Sequence, residues 1–304
     1  MRQVKLAYFD LGYIDRALAV TSQDQELLRL YETMAEARYS QGVGLQQAVI
    51  KLQAEITRVM SRSKELERQR VDAEATLNVL RDRPADEPIS FVSLVRHPVE
   101  EIDAKQLYAI GRNERPEVKA AFLRIETNEK SIQLAERQYW PDFSLGASWG
   151  NVLGRRDEAG RMNPPPDNGK DVYSLSVGVN IPIFRSKYDA GVQEATERFA
   201  AARQAYRSTV NNVGLAVRSI GFRLETIDDQ IALFERALLP QAEQALLSTE
   251  SAYATGTIGV LDLLDSERML LEVRLGLARL ESDYMKALAE MERSIGSAFP
   301  EERP

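Results

Sequence analysis

Along most of the chain, apolar residues recur every three or four positions, the spacing of helices that bury one stripe. From Leu6 to about Arg38 no proline interrupts, and Leu27, Leu30, Met34 and Ala37 mark a seam. Gln41-Gly42-Val43-Gly44 breaks this helix. The pattern then resumes through Val49, Leu52, Ile56, Val59, Ser63, Leu66, Arg70, Ala73, Leu77 and Leu80, a coiled-coil spacing with two polar interruptions. Two such helices joined by a short glycine-containing turn predict an antiparallel hairpin. From Arg83, prolines 84, 88, 98 and 116 and Gly111 break the periodicity, leaving room for a short helix near Ala104–Ile110. A helix restarts after Pro116 and runs to about Tyr139.

At Trp140-Pro141 the period changes from 3.6 to two. Phe143, Leu145, Ala147 and Trp149 alternate with Ser144, Gly146 and Ser148. Tyr173, Leu175, Val177, Val179 and Ile181 alternate with Ser174, Ser176, Gly178 and Asn180. Each segment predicts a strand with one apolar and one polar face, of the roughly nine to eleven residues that cross a tilted bilayer path. The stretch from Asn151 to Asp171, with Pro164-Pro165-Pro166, is polar and predicts an exposed loop. After Pro182 the spacing predicts a helix from about Lys187 to Ala254, on the order of 100 Å long and kinked at Pro240. Its stripe runs from Ala195 through Val213, Val217, Leu224 and Ile231 to Leu238. That length exceeds a compact domain and implies an extended assembly. Thr255-Gly256-Thr257-Ile258-Gly259 breaks it, and a last helix runs from about Leu261 to Ile295 with Leu264, Leu271, Ala278 and Met285 seven apart.

Composition narrows the function classes. The net charge of −7 argues against a nucleic-acid partner. Basic residues interleave with acids, as in Lys64, Glu65, Glu67, Arg68 and Arg70, the pattern of a solvated helix face. There is no cysteine, hence no disulfide, thiolate metal site or cysteine nucleophile. No run of about 18 apolar residues predicts a transmembrane helix, and no signal-peptide core follows Met1. The single histidine, His97, precedes Pro98 in a loop without ligand-spaced partners and reads as a surface residue. Gly42-Val43-Gly44 lacks the strand and third glycine of a nucleotide loop. No Ser/His/Asp arrangement or nucleophile elbow is present, so no catalytic residue, metal site or cofactor is expected. Trp140 and Trp149 bracket the first strand, as interfacial anchors do, although simply packed aromatics would also fit.

Two segments repeat one order of elements about 215 residues apart. Tyr39-Ser40-Gln41-Gly42 precedes Leu45, Val49 and Leu52, and Tyr253-Ala254-Thr255-Gly256 precedes Leu261 and Leu264, each between long helices. Internal duplication accounts for this better than coincidence. Further motifs are Tyr139-Trp140-Pro141-Asp142-Phe143-Ser144-Leu145 entering a strand and Asn180-Ile181-Pro182-Ile183-Phe184 leaving one. Leu239-Pro240-Gln241-Ala242-Glu243 and Val260-Leu261-Asp262-Leu263-Leu264 complete the set. In their order and separation these motifs resemble TolC-like outer-membrane factors of tripartite efflux pumps and type I secretion, over nearly the whole chain. The Gln41–Leu45 turn resembles the heavy-metal resistance branch.

The resemblance implies a mainly α fold of long antiparallel coiled-coil hairpins forming an α-barrel segment, with one transmembrane β-hairpin of a trimeric β-barrel. It implies a homotrimer in the outer membrane, reaching through the periplasm to an adaptor protein and, through it, an inner-membrane transporter, with drugs or heavy metals as candidate cargo. Gly42, Val43, Gly44, Leu45 and Gly256, Thr257, Ile258, Gly259 would be the adaptor-contacting tips, although glycine there also simply lets the chain turn. Asp262 and Asp265 would line the pore mouth, unless they only favour a helix start. Phe143, Leu145, Trp149, Tyr173, Leu175, Val177, Val179 and Ile181 would face lipid. The expected organisation is a first-repeat helical hairpin at 1–82, an irregular equatorial linker at 83–115, and a second repeat at 116–304. The second repeat carries the β-hairpin at about 141–182 and a long helical hairpin at 187–296. The family has two β-hairpins where this sequence has the second alone, and Met1 falls inside the first descending helix. The chain therefore reads as N-terminally truncated. A soluble coiled-coil scaffold is the alternative, but a scaffold has no need for the period-two segment.

Overall fold

A computed structural model describes residues 1–96 and 103–299, so His97 and Pro98 lie outside the described residues. The fold is mainly α, with one β-hairpin. The elements are α1 (Arg2–Ser40), α2 (Gln46–Leu80), α3 (Ala104–Glu114), α4 (Pro116–Arg137), β1 (Asp142–Gly150), α5 (Glu158–Met162), β2 (Val172–Asn180), α6 (Arg185–Leu233), α7 (Leu239–Ala254) and α8 (Val260–Ile295). They group into two compact units, Met1–Pro116 with Asn211–Pro304, and Glu117–Val210.

In the first unit α1 packs on both α2 and α8, α7 on α8, and α3 on α8. The largest core cluster joins Leu28, Tyr31 and Ala35 of α1, Val49, Leu52, Ile56 and Val59 of α2, Ala242 and Leu246 of α7, and Leu263, Leu264 and Leu270 of α8. The α1 seam therefore sits one residue from the expected one. Leu30 is 56% exposed, Ala37 is exposed, and Leu27 and Met34 lie at the edge of the cluster. A helix packed between two neighbours buries a wider stripe than a two-helix seam, and its centre falls between the two contact lines. On α2 the expected stripe is buried at Val49, Leu52, Ile56, Val59, Leu66 and Leu77 and half-buried at Ser63, Arg70 and Ala73, whereas Leu80 turns outward. On α6 it is buried at Val213, Val217, Leu224, Ile227 and Ile231.

Arg70 corrects the reading of a solvated charged face. It points inward from the α2 seam, and its Nε donates to Oδ1 of the fully buried Asp15 at 2.6 Å. Asp15 Oδ2 accepts from the Val92 backbone N–H at 2.8 Å, and Arg70 Nη2 donates to the Ile89 carbonyl at 3.0 Å. Glu74 closes the network, accepting from Arg70 at 2.5 Å and from the Ile89 N–H at 3.2 Å. A polar interruption of the stripe thus ties an irregular segment, with Val92 buried beside Leu11 and Leu77, to the helical hairpin. The neighbouring Lys64–Glu67 and Arg68–Glu65 pairs do lie on the surface.

The helix is interrupted at the proline at 240, where a kink was expected, by a π turn. Phe234–Leu238 forms a single π turn, in which the Leu239 N–H donates to the Phe234 carbonyl, and α7 then starts with Pro240 in its first turn. Proline lacks the N–H that the ladder would need, and the first turn is where that loss costs least. The wider π turn takes up the change of register.

In the second unit Phe122 of α4 meets Tyr206 of α6 edge to face at 6.1 Å between ring centres. Tyr139, past the end of α4, donates to Asp189 of α6. The loop between the strands carries one feature the sequence reading lacked, the short α5, whose first turn is capped by Asp157 accepting from the Gly160 N–H at 3.2 Å.

Asp15→Ala removes one charge of a buried pair and two acceptors, and should cost about 3–5 kcal/mol. Urea unfolding of the wild-type and variant chains checks this, with the variant midpoint expected well below the wild-type one.

Candidate functional site

The first candidate region lies where the helical hairpins turn. Gly42 has φ +75° and Gly256 φ +80°, both left-handed. At the first turn the Gly42 N–H donates to the Tyr39 carbonyl at 3.0 Å and the Val43 N–H to the Arg38 carbonyl at 3.1 Å. At the second the Gly256 N–H donates to the Tyr253 carbonyl at 3.0 Å and the Thr257 N–H to the Ala252 carbonyl at 2.9 Å. This is the same Schellman closure twice, at matched positions of the sequence repeat. The Tyr-x-x-Gly pattern is thus the sequence of a helix end.

The structure brings the two turns together. Arg38, from the last turn of α1, donates to the Tyr253 carbonyl at the end of α7, and its guanidinium lies 5.1 Å from the centre of the Tyr253 ring. Burial pushes the Tyr253 phenol up from its ordinary value, and the Arg38 charge opposes this. Tyr253 is buried whereas its counterpart Tyr39 is half exposed, so the repeated tyrosines play different parts. Val43, Leu45, Thr257 and Gly259 are exposed, and Ile258 packs at the edge of the core. Arg38 had no signal in the sequence beyond its place in the last helical turn.

Asp262 and Asp265 follow the second turn. Asp262 Oδ2 accepts from the Gly259 N–H at 3.2 Å, closing the start of α8. Asp265, exposed, lies 3.6 Å from Arg268. Arg268 is itself engaged by the buried Glu55 of α2. Burial pushes the Glu55 carboxyl up, but the hydrogen bonds and charges of Arg268 and Arg58 outweigh it and hold the carboxyl low.

The second candidate region is the β-hairpin. Its antiparallel register pairs Phe143 with Val179, Leu145 with Val177, Ala147 with Leu175 and Trp149 with Tyr173. Every one of these lies on one face. On the other, Ser144 pairs with Gly178, Gly146 with Ser176 and Ser148 with Ser174, the last with hydroxyls 2.9 Å apart. The polar face is built to be small: a Cβ on Gly146 would meet the Ser176 hydroxyl at 2.7 Å, and one on Gly178 the Ser144 hydroxyl at 2.6 Å. The apolar face is bare, with Val177 at 72% and Trp149 at 64% exposure. Ile181, expected at the strand end, lies one residue past β2 but is also exposed. Trp149 Nε1 donates to Asp171 at 2.8 Å, fixing the ring where the strand meets the loop. Trp140, exposed, precedes β1.

Among the described residues, no helix is long and apolar enough to cross a membrane. Also among them, no group of three or more acids and histidines could hold a metal.

Paired helical hairpins with matched turns and one β-hairpin with an apolar and a largely polar face define a mainly α fold of interrupted helical hairpins. The chain belongs to the outer membrane efflux protein family, whose model matches residues 107–297. The outer membrane protein TolC of Vibrio cholerae is 25% identical over 185 residues, which is 59% of this chain and 40% of that protein. The chain thus spans less than half the length of the curated relatives it matches first. Among solved structures, the outer membrane protein VceC of Vibrio cholerae superposes with a TM-score of 0.80 at 18% identity, over 98% of this chain and 70% of VceC. The MtrE outer membrane channel of Neisseria gonorrhoeae, in its open state, gives 0.75 at 20% identity, over 97% and 65%. These likenesses take in helices α1 and α2, which the family model does not reach.

Valine at Gly256 or Gly42 forces a β-branched residue into the left-handed region, which costs roughly 1–2 kcal/mol for the backbone alone. Space around Gly42 is open, whereas a Cβ on Gly256 would meet the Arg38 guanidinium at 2.7 Å. Gly256→Val should therefore lower the denaturation midpoint more than Gly42→Val, as read by helical circular dichroism.

Proposed function

We propose that this chain forms part of a passive outer-membrane duct, acting as a homotrimer in a tripartite efflux or type I secretion system. The observation that carries the proposal is the β-hairpin, in which Phe143, Leu145, Trp149, Tyr173, Leu175, Val177 and Val179 stand on one bare face, while the other carries only Ser and Gly through its middle and Asp142, Asn180 and Val172 at its ends. A two-stranded ribbon is marginal by itself in water. Lipid against Phe143, Leu145, Trp149, Tyr173, Leu175, Val177, Val179 and Ile181, water against the serines, and neighbouring strands on both edges would meet all its needs. Family membership supports the same reading, as does the likeness in fold to proteins described as outer membrane channels.

Within this proposal the segments 1–82 and 187–296 supply the helical duct, with 83–115 as an equatorial linker. The turns at Gly42–Leu45 and Gly256–Gly259 dock a periplasmic adaptor, which links the duct to an inner-membrane transporter. Asp262 and Asp265 face the periplasmic mouth, where Asp265, exposed and only loosely paired, has the freer charge for selecting cations. The duct carries out no chemistry and draws its energy from the transporter.

Arg at Val177, near mid-strand, should cost about 2–4 kcal/mol if that side chain meets the bilayer interior, and Arg at Ser176 far less. Outer-membrane fractionation of cells producing each variant from its own gene reads this directly. Equal tolerance at both positions would remove the membrane assignment. Site-specific crosslinking to the adaptor should fall in Gly42→Val and Gly256→Val while membrane assembly persists. Undiminished crosslinking in both would exclude the turns as docking points.

A further inference from the structure

Two acids inside the first unit are not used by anything described so far. Asp24 of α1 and Glu267 of α8 are both buried, Glu267 at 2% exposure. Neither oxygen of Glu267 nor Oδ2 of Asp24 receives a hydrogen bond from a protein donor. Both acids line one small cavity of about 30 Å³ between α1, α7 and α8, whose wall also holds Val20, Leu246, Leu270 and Leu271, with Gln23 and Arg274 at its rim.

The surrounding charges do not neutralise them. Glu55, reaching in from α2, adds negative charge. Arg268 of α8 and Arg58 of α2 are committed to Glu55. Arg274 of α8 donates to Glu243 of α7 at 3.1 Å, and Arg62 of α2 acts on Asp24 only as a charge. Tyr31 of α1 donates to Glu250 of α7, so its hydroxyl proton is directed away. Two buried carboxylates facing one another cannot both ionise without large cost, since each meets both desolvation and a like charge. One proton between them converts repulsion into a charge-assisted hydrogen bond.

We propose that Asp24 and Glu267 form a proton-binding site, in which Glu267 stays protonated at neutral pH, donates to Asp24, and so fastens α1 to α8 until alkaline pH removes the proton. The direction of donation follows from burial. Burial first, then the hydrogen bond and charge of Asp24, lift the Glu267 carboxyl to about 9. Burial also leaves Asp24 above its ordinary value, with Glu55 adding to the rise, but the bond from Glu267 and the charges of Arg62 and Arg274 oppose it, and none but Arg268 opposes the rise of Glu267, so Asp24 is the acceptor. A carboxyl raised on folding binds its extra proton only in the folded state, between its ordinary value of 4.5 and about 9. Stability therefore falls as pH rises through that window, the reverse of a salt-bridged carboxylate. This device is independent of the transport reading, since it acts within the helical unit alone.

Infrared difference spectroscopy on the purified 304-residue chain tests it. The spectrum of wild type minus E267Q should show a protonated-carboxyl band at pH 7 that is lost near about pH 9. Absence of that band at pH 7 overturns the proposal. The wild-type thermal midpoint should fall between about pH 5 and about pH 8, and the fall should be smaller in E267Q, whose amide keeps a donor to Asp24 without a titrating proton. An equal fall in both chains overturns the claim of a fastening. If E267Q does not fold, D24N decides the matter. Removing the Asp24 charge, while the Asn carbonyl can still accept, should move loss of the band to lower pH, and an unmoved band overturns the pair.

Discussion

The helical unit depends on two residues being able to enter the left-handed region. A helix whose last carbonyls are unpaired can be ended in several ways, but only some send the chain back along its own axis. At Gly42 and Gly256 the Schellman bonds satisfy those carbonyls and reverse the chain in one step, so that α2 lies against α1 and α8 against α7. Everything buried between these helices, from Leu28 and Leu52 to Leu246 and Leu264, presupposes that reversal. Because the closure occurs twice with the same bonds, the two hairpin ends stand side by side, and Arg38 can span from one to the other.

Charge inside the unit follows a second logic. Asp15 and Glu55 are buried, yet each meets an arginine from a neighbouring helix, and Asp15 also meets a backbone N–H. Such pairs contribute little net stability against apolar replacements, but they penalise any sliding of one helix along another, because a displaced carboxylate would be left without its partner. Long parallel seams of aliphatic residues discriminate poorly among registers one turn apart. The buried acids supply the discrimination at intervals along α1, α2 and α8.

Helix positions, the breaks at Gly42 and Gly256 and both strands were legible because they rest on local periodicity and on glycine. The two faces of the β-hairpin followed from alternation, since a one-residue slip would turn its large side chains to the other side, whereas the pairing of Leu145 with Val177 came only from the structure. What was not legible depended on third partners. The α1 seam was misplaced by one residue because α1 serves two neighbours, and Arg70 looked solvated until Asp15 appeared across from it. Glu267 sits in a charged stretch, Asp265-Ser266-Glu267-Arg268, where nothing in the sequence marks one acid as buried and the others as wet. The two turns were found by the repeat, yet the Arg38–Tyr253 contact joins residues over two hundred positions apart and has no local signature.

The π turn at Phe234–Leu238 also sets a phase. A turn closed by an i to i+5 bond holds one residue more than the α ladder would, and one residue of helix is about 100° of rotation. The stripe that points Leu224, Ile227 and Ile231 inward therefore enters α7 turned to a new bearing, the one that aims Ala242, Leu246 and Tyr253 at α8 and the core. Loss of a single residue here would restore a regular ladder and swing that face toward solvent, although no side chain in the core had changed. The wide turn acts as a gear tooth between two helical faces, and the spacing of residues through it is constrained more tightly than their identities.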